Sequence, residues 1–264
     1  MMPLSAVLAS TYGPHPHQRY DLFVPQGRTP QVLVACIHGG GWTAGRPDDL
    51  RLLALLLAEQ GYAVACIGYR LLNDGARHGQ DLCDDVSHGV ERAVEEAAVL
   101  GASGRSVLLM GSGAGSLPAL VAARQLSKTG RLPVRGVVAC GVHPTLEPWD
   151  HCAPATARLL EQFAGGQRHL LNPMELDVHG FPTVLLVHGD SDPEIPAKQV
   201  TRLHTRLIEA GESSTLAILS GLGHQVLEHP SDRGGKLALE RILPFLAEHA
   251  HEPDEERLFA GSQA

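Results

Sequence analysis

The sequence lacks any run of roughly 18 uncharged apolar residues, the minimum for a membrane-spanning helix. It also lacks positive charge in excess, since 21 Lys and Arg residues stand against 29 Asp and Glu residues, for a net charge of −8. This balance argues against nucleic acid and anionic membrane surfaces as partners. The first residues lack the basic segment and long apolar run of a secretory signal. We therefore expect a cytoplasmic protein that acts on or binds a small molecule, with no nucleic acid and no membrane as partner.

Metal-binding patterns are also absent. Of the five cysteines, Cys36 and Cys66 lie in apolar, strand-like runs and are predicted to be small buried side chains. The other three cysteines show no spacing typical of metal ligands, and the odd total suits a reducing compartment. His15 and His17 lie in a proline-rich stretch without a third ligand nearby. We expect neither a metal nor a cofactor.

The pattern of apolar residues predicts strands that alternate with helices. Continuous apolar runs bounded by turn residues are typical of strands buried on both faces of a parallel sheet. Strands are predicted at 18–24, 31–37, 62–68, 106–110, 134–140, 183–187 and 214–219. Helices are predicted from the cap at 48–49 to 60, and at 81–100, 116–126, 197–210 and 236–250, the last kinked or interrupted by Pro244. The predicted fold class is α/β, with a mostly parallel, doubly wound sheet and helices on both faces.

The length of 264 residues suits one domain. We expect that domain to span residues 1–250. Residues 143–180 show no clean periodicity and are predicted to form a small lid inserted in it. Residues 251–264 are polar and charged and are predicted to be a flexible tail.

Four predicted strands are followed by unusual residues: HGGGW after Ile37, GSGAG after Met110, HGDSD from His188, and SGLGH after Leu219. Sites in such sheets form outside the carboxyl ends of the strands. We therefore expect the four segments to converge on one crevice.

The first segment, His38 to Trp42, has the composition of an oxyanion hole. A loop that presents backbone N–H groups to a developing oxyanion must turn freely and approach the substrate closely, and both are easiest without Cβ atoms. Gly40 and Gly41 are the predicted donors.

The second segment, Gly111 to Gly115, lies between a strand and a helix, which is the context of the G-x-S-x-G nucleophile elbow. Its central residue is Gly113, which has no side chain. Ser112 comes one residue early and Ser116 lies in the first helical turn, and either is an alternative candidate as a displaced nucleophile. The N–H of Ala114 stays available for the oxyanion hole.

The last two segments supply an acid and a base. A histidine acts as a general base when a carboxylate accepts from its other ring nitrogen and holds the tautomer. His224 follows the last strand and the glycines of Gly221-Leu222-Gly223, and Asp192 lies deeper in its loop than the competing Asp190. The order elbow, Asp, His is that of α/β-hydrolases. We predict that His224 and Asp192 form the catalytic pair.

These motifs resemble the α/β-hydrolase superfamily, in the HGGGW carboxylesterase branch that includes kynurenine-formamidase-like and bacterial feruloyl- or acetyl-esterase-like proteins. The resemblance covers most of the chain and includes the following pairs: Tyr12-Gly13, Asp21-Leu22, Tyr69-Arg70 and Asp85-Val86. It implies that Gly40, Gly41 and Ala114 donate to the oxyanion. It also implies that Gly113 stands where the family carries its serine nucleophile.

Four further residues are candidates to line a substrate pocket: Trp42, Ser112, His143 and Trp149. His151 lies in the same predicted lid. By contrast, Asp84 and Asp85 suit the first turns of a helix, where carboxylates favour the dipole. Tyr69 and Arg70 are likewise expected to be structural.

A glycine at the nucleophile position has three explanations. It is an engineered replacement in a serine esterase, or a natural residue in a protein that does non-covalent chemistry with His224 and Asp192. The third explanation is a small-molecule-binding pseudo-hydrolase. We predict a carboxylesterase-type protein, for small esters or amides, whose covalent hydrolysis is disabled by Gly113; the other two functions are the alternatives.

Overall fold

The computed structural model describes residues 3–224 and 227–250. An eight-stranded sheet has the order β1-β2-β4-β3-β5-β6-β7-β8. The strands are β1 (Leu4–Thr11), β2 (Arg19–Pro25), β3 (Val32–Ile37), β4 (Ala63–Ile67), β5 (Ser106–Ser112), β6 (Val134–Cys140), β7 (Val184–Gly189) and β8 (Ser214–Leu219). β2 runs antiparallel to β1 and to β4, and β3 to β8 are parallel to one another. The prediction of a mostly parallel sheet is confirmed.

Helices cover both faces of this sheet. They are α1 (Arg51–Glu59), α2 (Gly79–Val99), α3 (Ser116–Thr129), α4 (Pro154–Ala164), α5 (Arg168–Leu171), α6 (Ala197–Glu209) and α7 (Arg233–His249). Buried residues of α2, α3, α4 and α6 share one apolar cluster, and those of α1 and α7 share another. Within β3, Leu33 and Ala35 belong to the first cluster, whereas Val34 and Cys36 belong to the second. Burial on both faces therefore explains the continuous apolar runs of the sequence.

Three features differ from the predictions: the strand β1, the helices α4 and α5 within the segment predicted to lack periodicity, and the continuity of α7, for which a kink or an interruption was predicted. β1 was not predicted, because it is an edge strand with a half-exposed pattern and a bulge between Val7 and Ser10. Helix α7 runs through Pro244 without interruption. The missing N–H of a proline breaks one backbone hydrogen bond, but burial of Ile242, Phe245 and Leu246 holds the helix against the sheet.

The segment between β6 and β7 contains α4 and α5 and packs on the domain. Phe163 of α4 is buried, and its ring centroid lies 4.5 Å from that of Trp42. Among the helices of the described residues, none is long and apolar enough to cross a membrane. The predicted tail, residues 251–264, lies outside the described residues.

Candidate active site

The four motif segments meet at the carboxyl edge of the sheet. They begin at or directly after the ends of β3, β5, β7 and β8, which are parallel and therefore end on the same side. A cleft of about 150 Å³ lies there. Its lining among the described residues comprises Gly40, Gly41, Trp42, Gly113, Ala114, His143, Thr156, Leu159, Glu194, His224 and Glu228.

His224 and Asp192 form a hydrogen-bonded pair in this cleft. Nδ1 of His224 lies 2.7 Å from Oδ2 of Asp192. The other carboxylate oxygen accepts hydrogen bonds from the N–H groups of Glu194 at 2.7 Å and Ile195 at 2.9 Å. Burial works to raise the pKa of Asp192, but the hydrogen bonds from His224 and the backbone outweigh it and lower that pKa. Asp192 therefore stays ionised. It accepts a hydrogen bond from Nδ1–H of His224, which leaves the lone pair of Nε2 free to take a proton.

The charge state of His224 follows from opposing effects. Burial alone would lower the pKa of His224, but the hydrogen bond and the charge of Asp192 outweigh it, so the pKa is raised. The carboxylates of Glu194 and Glu228 act in the same direction. His224 is thus a stronger base than a free imidazole.

A second histidine, His188, stabilises the loop that carries Asp192. His188 is fully buried, and its Nε2 donates to the carbonyl of Ile195 at 2.8 Å while lying 3.3 Å from Oδ2 of Asp192. Burial is the main cause that lowers the pKa of His188, so this ring stays neutral. Asp190 instead accepts from the N–H of Gly221 at 2.7 Å. The structure brings Asp192 against His224, whereas Asp190 fastens the loop after β8.

The elbow keeps its tight packing. Gly115 has no room for a side chain, because a Cβ there would lie 2.2 Å from the carbonyl oxygen of His38. A Cβ on Gly111 would lie 2.3 Å from Cα of Ser116. The hydroxyl of Ser116 is buried and lies 2.8 Å and 2.9 Å from the carbonyl oxygens of Gly111 and Cys140. Ser116 is therefore held in the backbone of the elbow, away from the cleft.

Gly113 differs from its neighbouring glycines because a side chain would fit there. Its φ is +51°, the left-handed conformation that a nucleophile elbow imposes on its central residue. A Cβ built on Gly113 would lie 3.4 Å from Nε2 of His224 and 3.8 Å from Oε1 of Glu228, both ordinary contacts. The Cβ direction of residue 113 thus points at the base.

The HGGGW loop presents its backbone to the same cleft. Gly40 and Gly41 have φ of +102° and +60°, which glycine adopts without cost. Within the described ranges, their N–H groups donate to no protein acceptor, and Ala114 lies in the first turn after β5, where N–H groups are unpaired. The indole N–H of Trp42 donates to the carbonyl of Ala114 at 2.7 Å. This bond joins the loop to the elbow, so the three N–H groups lie around one cleft.

The candidate pocket residues take different places. Trp42 and His143 line the cleft, with ring centroids 5.0 Å apart. Trp149 packs behind, with its centroid 6.4 Å from that of His143. The hydroxyl of Ser112 is buried and donates to Oε1 of Glu228 at 2.7 Å. Burial first, and the nearby His224 second, lower the pKa of His143 to about 3, so its ring is neutral.

Residues expected to be structural make structural contacts. The carboxylate of Asp85 is buried and binds the guanidinium of Arg70 through two contacts of 2.8 Å. The hydroxyl of Tyr69 donates to the carbonyl of His38 at 2.7 Å. His15 and His17 approach Asp74, and across residues 3–224 and 227–250 no three His, Cys, Asp or Glu side chains are grouped to hold a metal.

Four of the cleft residues were not predicted from the sequence: Thr156 and Leu159 of α4, and two carboxylates. Glu194 follows the acid loop, and its carboxylate lies 3.9 Å from Nε2 of His224. Glu228 comes four residues after His224 and reaches back to the elbow. Neither belongs to a motif, and only the return of the chain after β8 places Glu228 beside residue 113.

Comparison with known proteins supports this architecture. The family described as BD-FAE matches residues 20–131, and the prolyl oligopeptidase family matches residues 168–252. The solved structure of esterase B from Lactobacillus rhamnosis superposes with a TM-score of 0.80 at 22% identity, covering 94% of this chain and 86% of that one. Thermogutta terrifontis esterase 2 gives 0.77 at 19% identity, over 91% and 94% of the two chains. The chain has the α/β-hydrolase fold of these esterases.

Curated relatives are also named as esterases. A probable isoprenylcysteine alpha-carbonyl methylesterase of Oryza sativa subsp. japonica is 27% identical over 92% of this chain and 62% of the relative. The isoprenylcysteine alpha-carbonyl methylesterase of Arabidopsis thaliana is 24% identical over 96% and 64%. The chain therefore spans less than two thirds of the length of these relatives. The similarity to esterases extends over most of this chain, and the carboxylesterase type is the one that its motifs predicted.

Proposed function

We propose that this cleft is a carboxylesterase site for small esters or amides in which the covalent step is disabled by Gly113. One observation carries the proposal: the Cβ position of Gly113 lies 3.4 Å from Nε2 of His224, which Asp192 orients at 2.7 Å. The base, its carboxylate and the unpaired N–H groups of the HGGGW loop surround the place of a nucleophile. Such an arrangement serves acyl transfer.

Each residue has a defined part in that chemistry. With a serine at position 113, the hydroxyl would attack the carbonyl carbon while Nε2 of His224 takes its proton. The N–H groups of Gly40, Gly41 and Ala114 would hold the oxyanion. His224 would then protonate the leaving group. A glycine at position 113 cannot form the acyl intermediate, so this chain lacks the first covalent step.

The size of the cleft favours a small acyl group. A volume of about 150 Å³ is below the roughly 300–1,000 Å³ of pockets that take drug-sized ligands. The curated relatives are named as methylesterases, which also suits a small group on one side of the ester bond. Two carboxylates, Glu194 and Glu228, line the cleft and disfavour anionic substrates.

The experiment is a panel of short-chain p-nitrophenyl esters tested on this chain and its Gly113→Ser variant. Loss of a serine nucleophile costs about 2 × 10⁶ in kcat in a serine protease, so we expect the variant to gain at least roughly 10³-fold. Gly113→Ala is the matched control, because it adds the same Cβ with the same backbone cost but no hydroxyl. His224→Ala in the serine background should abolish the gain. A folded Gly113→Ser variant as inactive as Gly113→Ala would refute the proposal.

A further inference from the structure

The carboxylate of Glu228 lies where the mechanism of a serine esterase gives it no role. Its Oε1 is 3.8 Å from the Cβ position of Gly113 and 3.4 Å from that of Gly39. It thus lies beside the nucleophile position, between the elbow and the HGGGW loop. Together with Nε2 of His224, it flanks the volume that a side chain at position 113 would fill.

Glu228 is held in this place by the elbow itself. The hydroxyl of Ser112 donates to Oε1 at 2.7 Å, although the two residues are 116 positions apart in sequence. The second oxygen, Oε2, is buried and has no hydrogen-bond partner among the described residues. A buried carboxylate oxygen without a partner is costly. Oε1, the oxygen that borders the position of residue 113, can accept a second hydrogen bond beside that of Ser112.

We propose that this chain hydrolyses its substrate directly, with Glu228 and His224 together holding and activating a water molecule at the nucleophile position. The proposal rests on the ester-hydrolase function proposed above and names the nucleophile that replaces serine. Glu228 is then a catalytic residue, since it contacts the reacting water. Ser112 is a positioning residue that fixes the Glu228 carboxylate.

The reaction balances with water as its only co-reactant. The water oxygen attacks the carbonyl carbon, one proton passes to Nε2 of His224, and the other O–H donates to Glu228. The oxyanion is held by N–H groups of Gly40, Gly41 and Ala114. When the intermediate collapses, the bond to the leaving alkoxide breaks and His224 returns the proton to it. The products are an alcohol and a carboxylic acid, which releases its proton to solvent.

A serine at position 113 would occupy the same volume and take over the attack. The contribution of Glu228 should therefore depend on the residue at position 113, which a purely structural carboxylate would not show. This dependence separates the proposal from a role of Glu228 in folding, because folding is needed equally in both backgrounds.

The test combines Glu228→Gln with either residue at position 113 and measures kcat and KM on the most reactive ester of the panel. In the parent chain, Glu228→Gln should lower kcat by roughly 10²-fold, the low end of general-base effects, with little change in KM. In the Gly113→Ser background the same change should alter kcat less than about tenfold. Ser112→Ala should act like Glu228→Gln in the parent, but more weakly.

Glu194→Gln is the electrostatic control, because it removes an equal charge 3.9 Å from Nε2 of His224. The groups that face His224 are Asp192, Glu194, Glu228, His143 and His188. Neutralising either glutamate should move the acid limb of the pH–rate profile to lower pH, but only Glu228→Gln should cause the large loss of kcat in the parent.

The outcomes are distinct. If the parent chain is no more active than its own His224→Ala variant while Gly113→Ser is active, the water mechanism is overturned and the proposed function stands. Equal losses from Glu228→Gln in both backgrounds also overturn it. An inactive Gly113→Ser variant removes the proposed function, and the water mechanism with it.

Discussion

The two halves of the cleft differ in which side chains of a serine-esterase site they carry. The half after β7 and β8 is complete, because Asp192 receives three hydrogen bonds and orients His224. The half after β5 keeps only its backbone: Gly113 has φ of +51° and faces the base, but it carries no side chain. The acid and base are thus present without the residue that they would serve in a serine esterase.

This difference shows that the shape of an elbow does not depend on its nucleophile. The close approach of Gly115 to the carbonyl of His38 and the bond from Trp42 to Ala114 hold the turn. Each contact involves backbone atoms or a neighbouring side chain, and none involves the side chain of residue 113. Packing thus accounts for the glycines of the elbow, whereas it does not account for the hydrogen bond that orients His224 towards residue 113.

The largest effect is expected from a change in the complete half of the cleft, in which Asp192 orients His224. In the Gly113→Ser background, Asp192→Asn should lower kcat by about 10⁴-fold, because the wrong tautomer of His224 is then held. Initial rates on a p-nitrophenyl ester measure the loss. Asp190→Asn is the matched control, since Asp190 fastens the loop through Gly221 and does not contact His224. An equal loss from both variants would mean that the loop, and not the tautomer, sets the rate.

The half after β5 can be tested with a substitution that disturbs its packing. Gly115→Ala should destabilise the fold by about 1–3 kcal/mol, because its Cβ would press against the carbonyl of His38. Urea unfolding followed by circular dichroism gives this free energy. Gly234→Ala, in the first turn of α7 with nothing nearer than 3.6 Å, should be neutral or slightly stabilising. Wild-type stability in Gly115→Ala would show that the elbow can widen.

The smallest effect concerns pH. His224 must be neutral to act as a base, and its pKa is raised above the ordinary 6.5. Hydrolysis by the Gly113→Ser variant should therefore rise with pH along an acid limb whose midpoint lies above 6.5. Residual activity of the Asp192→Asn variant should show a midpoint at lower pH, since the raising contact is gone. A midpoint unmoved by this change would assign the limb to another group.

Much of the fold could be predicted from periodicity. Strands such as β3 and β4 are continuous apolar runs, and helices such as α2 have one apolar side, so their positions agree with the structure to within a few residues. The edge strand β1 could not be predicted in this way, because its exposed face and its bulge weaken the alternation. The path of α7 through Pro244 depends on burial against the sheet, which local sequence does not reveal.

The sequence by itself indicated the α/β-hydrolase fold, the order of the motifs and the glycine at position 113. It could do so because strand ends, glycine turns and the Asp–His order are local patterns. The tertiary structure decided that Asp192 and not Asp190 meets His224, that Ser116 is buried, and that Glu228 stands beside Gly113. Those facts depend on distances between segments far apart in the chain, and only packing of the loops around the sheet sets such distances.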